Sequence, residues 1–375
     1  MHKLTRIAIA LSAVCAASGA HAQSSVASPN VTFYGIIDAY AQTARGASTV
    51  QRVQSGGLMG SRFGLRGTED LGSGLRAFYV LEGGSNTDDG SSAQGGLLFG
   101  RQALVGLGSE RFGQISLGRQ QSAVYYVSTE FSAFSCTTAG PTTAVIGGFA
   151  GGYEPVRGAS GTATPPAAGA TGNGGPVRVN NSVRYESPSL AGFHVGALYG
   201  AGEVANAVND SRLVDLFARY SAGVVEVLAS RMSDKATGLA RADVTTTSLG
   251  AKVAIGSGHV FAGLIDVDDR RPENEDGRGY WLGGDYAFGA HVVRAQYIVN
   301  DPRFGKANRT QAFGVGYEYD LSKRTALYSS LTRFANQANA GPGGLGRWNS
   351  AIPTGLTRVG SNDITELVGG IRHMF

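Results

Sequence analysis

From residue 31 onward, apolar and polar side chains alternate with a period of two, in segments of about ten residues that often close on an aromatic and are separated by turn-forming residues. Sixteen such segments predict sixteen strands, at 31–42, 58–68, 74–83, 97–108, 113–119, 178–187, 192–200, 212–221, 223–232, 244–255, 258–266, 278–287, 290–299, 309–319, 324–334 and 362–375. Beyond residue 22 no apolar run reaches the length of a transmembrane helix.

The connectors carry the topology. Tight ones fall at 69–73, 109–112, 188–191, near Ala222, at 256–257, 288–289 and 320–323. Long ones lie between them, at 43–57, 84–96, 120–177, 201–211, 233–243, 267–277, 300–308 and 335–361. Short turns at one end and long loops at the other describe an all-β chain closed into a 16-stranded antiparallel transmembrane β-barrel of the outer-membrane type. Closure also pairs every backbone group where there is no water to do so.

Strand faces assign the arginines. Phe63 and Leu65 share one face, Arg62 and Arg66 the other. Likewise Arg178, Asn180, Ser182, Arg184 and Glu186 alternate with Val179, Asn181, Val183 and Tyr185. An arginine facing lipid at mid-membrane costs about 2–4 kcal/mol, so the arginine face is the lumen. The same phase places Arg76, Arg101, Arg294 and Arg324 inside, with Arg219 a further candidate and Asp38, Glu82, Asp285 and Glu318 as inward acids. Segment 258–266 is apolar on both faces, and Phe78 and Val80 point inward against the pattern.

Composition sharpens this. Glycine numbers 57 of 375 residues, which argues against long helices, and charged residues are only 16%. Arginine outnumbers lysine 27 to 5, yet the net charge of +4 is too small for a protein that tracks phosphates, so no nucleic-acid partner is expected. Lys3 and Arg6, the apolar run 7–17 and Ala20-His21-Ala22 form a secretory signal peptide. Cleavage is expected before Gln23, leaving residues 23–375 as one barrel domain. Cys136 is then the lone cysteine, so no intrachain disulfide is expected.

Val31-Thr32-Phe33-Tyr34-Gly35-Ile36-Ile37-Asp38, Ser61-Arg62-Phe63-Gly64, Gly67-Thr68-Glu69-Asp70-Leu71-Gly72-Ser73-Gly74-Leu75, Arg101-Gln102-Ala103, Leu117-Gly118-Arg119-Gln120, Asn180-Asn181-Ser182-Val183-Arg184-Tyr185, Leu321-Ser322-Lys323-Arg324-Thr325 and Gly370-Ile371-Arg372-His373-Met374-Phe375 occur in that order over nearly the whole chain. Together they resemble the general-diffusion porins of Gram-negative bacteria, in particular the β-proteobacterial branch. The resemblance implies a homotrimer in the outer membrane, in contact with its lipid and lipopolysaccharide and inserted by the barrel-assembly machinery. It also implies passive diffusion of ions and small hydrophilic solutes, and a third long loop folded into the lumen. That loop is 120–177 by position. In such porins wall bases face loop acids, but here the loop's only acids are Glu130 and Glu154, with Arg157 beside the second, and 158–177 carries no charge.

A ring of arginines selects anions, so the expected pore is weakly anion-selective, with Arg62, Arg66, Arg101 and Arg184 foremost and Arg76, Arg178, Arg294 and Arg324 behind them. Phe375, ending the one face formed by Leu367, Gly369, Ile371 and His373, is the expected assembly signal. Glycines inside strands, such as Gly35, Gly64, Gly106 and Gly314, suggest curvature or close subunit packing. Six acids crowd 266–276, but their spacing is not that of an EF-hand and two arginines interrupt them, so a solvated outer loop is expected rather than a calcium site. Four histidines remain after residue 22, none in a nucleophile or zinc motif, so neither catalytic residues nor a cofactor are expected. Two other readings use the same fold: a channel specific for organic acids or other anions, and a closed structural or adhesive surface barrel.

Overall fold

The computed structural model describes residues 30–46, 48–135, 137, 140–141, 177–203, 212–235, 243–270, 276–303, 309–337 and 363–375. The expectations for residues 1–22, Cys136, Glu154, Arg157, Glu273 and Glu275 lie outside them.

The strands are β1 (Asn30–Arg45), β2 (Thr49–Ser55), β3 (Arg62–Gly72), β4 (Leu75–Gly84), β5 (Gln102–Ser109), β6 (Gly113–Gln121), β7 (Arg178–Glu186), β8 (Phe193–Gly200) and β9 (Leu213–Ala222). They continue with β10 (Val225–Lys235), β11 (Asp243–Ile255), β12 (Gly258–Asp269), β13 (Gly277–Phe288), β14 (His291–Pro302), β15 (Thr310–Asp320), β16 (Thr325–Asn336) and β17 (Ile364–Met374). From β3 onward each strand pairs antiparallel with the next, and β1 closes the ring on β17, from Ile36↔Met374 to Arg45↔Thr365. On its other side β1 pairs first with β2 and then with β3. β2 and β3 therefore share one position, and the wall has sixteen. This corrects the expected loop 43–57: most of it is a hairpin that prolongs the wall, and the second strand starts at Arg62, not at residue 58.

Alternation sorts the faces. Along β16 every even position from Ala326 to Asn336 is buried inward and every odd one from Leu327 to Ala335 is exposed outward. The outward face carries Phe33, Tyr185, Tyr286, Phe288, Tyr317, Tyr319 and Phe375 near the short turns, and Tyr199, Tyr280, Tyr297 and Phe313 near the long loops. Two aromatic belts with aliphatic side chains such as Val105, Leu117 and Leu282 between them match a bilayer with its two interfaces.

One expected phase is corrected. Val179 is fully buried on the luminal side, because Asn181 adopts φ of 50° and the β6–β7 register shifts between Gly118 and Gln120. Arg324 lies exposed in the turn before β16. The doubly apolar β12 has a simple cause. Phe261, Ile265 and Val267 point inward into buried clusters that include residues of the luminal segment described next.

The in-strand glycines serve contacts within this one chain. A Cβ at Gly35 would collide with the Phe375 ring and one at Gly106 with the Phe78 ring, while one at Gly64 would stand 2.7 Å from Tyr34 and one at Gly314 2.5 Å from Pro141.

Candidate functional site

After β6 the chain turns into the barrel as helix α1 (Ala123–Glu130). Val124, Val127, Ser128 and Phe131 recur at helical spacing and are fully buried, so this stripe faces the wall. Asp215 on β9 accepts a hydrogen bond from the Ala123 N–H at 2.7 Å, placing a carboxylate where the helix has free donors and positive dipole. At the other end the Trp281 indole donates to the Phe131 carbonyl at 2.7 Å. The Phe131 ring fills the space over Gly250 of β11, where a Cβ would come within 2.6 Å of it.

The segment then runs along the opposite wall. Gln296 Oε1 on β14 accepts from Ala133 N at 2.8 Å and Ser132 Oγ at 3.1 Å, and Arg294 donates to the Ala133 carbonyl at 3.3 Å. Phe134 packs over Gly316 and Pro141 over Gly314, both on β15. Residues 122–135, with Pro141 beyond them, thus reach across the lumen from β6 to β15, held by a carboxylate, an indole, an amide and a guanidinium.

Facing α1, the basic side is built around one acid. Glu82 on β4, 5% exposed, receives Arg101 Nε at 2.7 Å and the Tyr34 hydroxyl at 3.0 Å, with Arg62 at 3.9 Å. Arg101 also donates to the Tyr125 hydroxyl on α1 at 3.1 Å. Arg178 lies over the Tyr125 ring at 5.4 Å and Arg66 over Tyr34 at 5.1 Å. Of the four arginines here, Arg62 and Arg101 pair with Glu82, while Arg66 and Arg178 form no salt bridge among the described residues. Arg119 adds hydrogen bonds to the Gly100 carbonyl, at 2.7 Å, and to Asn180.

Arg184, Arg219, Arg294 and Arg372 are each paired with acids. Arg184 pairs with Glu186 at 2.5 Å and stacks on Tyr126 and Phe217. Arg219 binds Glu130 at 2.7 Å and Glu226 at 2.8 Å, and Lys252 reaches Glu226 at 3.0 Å. Arg294 and Arg372 share Glu318. Arg76, exposed near the short-turn end, contacts Gln114. Burial pushes the Tyr126 phenol up.

Seven of the eight predicted wall arginines stand on inward positions, and Arg324 lies exposed in the short turn before β16, on the same alternation as inward Ala326. Asp38, Glu82, Asp285 and Glu318 also stand on the inward positions of their strands, with Asp285 bound to His259 at 2.9 Å. Sequence reasoning missed Arg372, although the outward set of the last strand implies it. It missed Tyr125 and Tyr126 as well, because a short helix inside a long connector has no partner in sequence that fixes its phase. At the closure, Phe375 N and O each bond Gly35 at 3.0 Å, and the Phe375 ring lies 5.6 Å from that of Phe33.

A closed sixteen-position barrel with aromatic belts outside and a charged lumen narrowed by an inward loop is a transmembrane channel. A sequence profile described as Gram-negative porin matches residues 8–339. The chain is 30% identical to outer membrane porin protein 32 of Delftia acidovorans, over 98% of this chain and 99% of that one. It is 32% identical to an outer membrane porin protein of Bordetella pertussis, over 72% of this chain and 75% of that one. Among solved structures, an anion-selective porin from Comamonas acidovorans superposes with a TM-score of 0.75 at 28% identity, covering 92% of this chain and all of that one. Salmonella typhi OmpF shares the fold, with a TM-score of 0.64 at 16% identity over 92% of this chain and 97% of that one. This chain belongs to the Gram-negative porin family, and its strands cross the outer membrane.

Proposed function

We propose that the pore passes small hydrophilic solutes and ions passively, with a preference for anions set by Arg62, Arg66, Arg101 and Arg178. The observation that carries this is the charge balance beside α1: Arg62 and Arg101 share Glu82, Arg66 and Arg178 lie over the Tyr34 and Tyr125 rings and form no salt bridge among the described residues, and Glu130, the acid of the described loop segment, is held by Arg219 on another wall. Anions crossing the narrowed lumen meet arginine and tyrosine side chains, and cations find few free carboxylates there. The anion-selective Comamonas porin supports the reading by its similarity. No chemical step is involved, and no catalytic group or cofactor enters it.

The working form is read as a homotrimer in lipopolysaccharide-bearing outer membrane. Residues 1–22 are removed on export, and Phe375 serves the barrel-assembly machinery. Reversal potentials of the purified protein in a KCl gradient test the central reading. A potential of anion-selective sign supports it, and one of cation-selective sign overturns it.

A further inference from the structure

The segment between β2 and β3, Gly56–Ser61, leaves the wall and enters the lumen, where it rests on one side chain. Asp38 on β1 is fully buried, and its carboxylate accepts from the backbone N–H groups of Gly57 at 3.0 Å, Leu58 at 2.9 Å and Met59 at 2.7 Å. The Tyr328 hydroxyl donates to the same carboxylate at 2.5 Å. The Asp38 backbone is used as well. Its carbonyl accepts from Gly56 N at 2.8 Å, and Ser61 Oγ bonds both its N–H and its carbonyl at 3.0 Å. No cation pairs with this carboxylate among the described residues, so its charge is spent on three consecutive backbone donors and a phenol.

The connector also touches both parts of the narrowing. Leu58 is buried with Tyr40, Tyr328 and Val368, and it lines a small cavity together with Phe134, the far anchor of the luminal loop, and with Arg294 and Glu318. At its other end, a Cβ at Gly60 would stand 3.5 Å from Nη1 of Arg101. Gly57 has no room for any side chain, since a Cβ there would collide with the Tyr328 hydroxyl.

From this juxtaposition we infer that Gly56–Ser61 is a second constriction element, that Asp38 is the positioning residue holding it in the lumen, and that Met59 lines the ion path. The inference rests on the channel reading above and deepens it: the cross-section is set by two inserts, one from each side, with Arg101 braced between Gly60 and Tyr125.

Two variants in planar bilayers test it. Asp38→Asn removes the charge and puts an amide donor in place of one carboxylate oxygen, against at least one of the three backbone N–H groups, so the connector is loosened; single-channel conductance is expected to shift upward and open-state current noise to grow. Met59→Cys in a Cys136→Ser background, treated with a sulfonate-bearing methanethiosulfonate, is expected to lose current on modification, while the same reagent leaves the Cys136→Ser protein without the new cysteine unchanged. If Asp38→Asn does not assemble, Met59→Cys carries the test alone. Parental conductance and noise in assembled Asp38→Asn, or undiminished current through Met59→Cys shown by mass to be labelled, overturns the inference. An unsubstituted protein that forms no channels at all would instead overturn the reading on which it rests.

Discussion

Arg219 on β9 takes Glu130, the last residue of α1, at 2.7 Å, and so removes from the eyelet the one acid that the described part of the loop carries. Both side chains keep partial contact with water, and the same guanidinium also binds Glu226. An ion pair so placed contributes at most about 1 kcal/mol. Glu130→Gln should therefore leave the barrel assembled and raise the anion-to-cation permeability ratio, by at most about fivefold on that scale. Reversal potentials at low and high salt would show it, with the smaller difference at high salt, where exposed charges are screened.

Arg178 and Arg101 separate selectivity from stability. Arg178 stacks on Tyr125 and pairs with no carboxylate among the described residues, so Arg178→Gln removes one positive charge and strands no acid. Anion preference should fall while heat resistance of the folded band on a gel changes little. Arg101→Gln takes the 2.7 Å partner from buried Glu82, and breaking a buried pair costs roughly 3–5 kcal/mol. Its folded band should be lost at lower temperature than that of Arg178→Gln.

The wall was legible in the sequence because alternation, lipid and water leave one solution for each strand. Every one of the sixteen predicted segments overlaps a wall strand, and the inward position of Arg62, Arg66 and Arg184 followed from Phe63, Leu65, Val183 and Tyr185 alone. What alternation cannot carry is a change of phase or a contact across the lumen. Val179 reverses because Asn181 takes a left-handed conformation, which no neighbouring residue announces. Residues 58–61 alternate like a strand, yet Asp38, about twenty positions earlier, captures their backbone. Tyr125 became a site residue only when Asp215 and Trp281, on distant strands, fixed α1.

Phe375 closes the barrel through Gly35, with hydrogen bonds in both directions and a ring that occupies the space a Cβ would need. Removing Phe375 and widening Gly35 to valine attack the same contact from opposite sides. Both are expected to lower the yield of heat-modifiable folded protein, and their combination should add little to either alone, as neighbours sharing one interaction do not add. Thr325→Ala, which touches His373 at the adjacent edge, serves as the control that leaves yield unchanged.

The eyelet groups also fix a pH response. Arginine stays protonated throughout the working range, and burial raises the Tyr126 phenol, which favours its neutral form. Ordinary arginine and tyrosine side chains both titrate above about pH 9. Anion preference should be flat between about pH 5 and pH 9. A carboxylate-dominated eyelet behaves differently, since it loses cation preference as pH falls through the carboxylate range. Reversal potentials at fixed salt, stepped in pH, distinguish the two.

Gly250 on β11 tests whether the loop position sets the pore. Its missing side chain makes the recess that Phe131 fills, and the ring sits 2.6 Å from where a Cβ would be, too close for any methyl group. Phe131 cannot retreat sideways, because its carbonyl is held by Trp281 and the ring lies in the buried cluster with Val127 and Met232. In Gly250→Ala the ring must move inward and carry the end of α1 with it. Overpacking of this kind costs about 1–3 kcal/mol, well short of unfolding a barrel whose strands are all paired. The expected result is an assembled channel with lower single-channel conductance. Phe131→Ala in the same background removes the clash and should bring the conductance back up. If both variants conducted like the parent, the segment at Phe131 would not limit the pore.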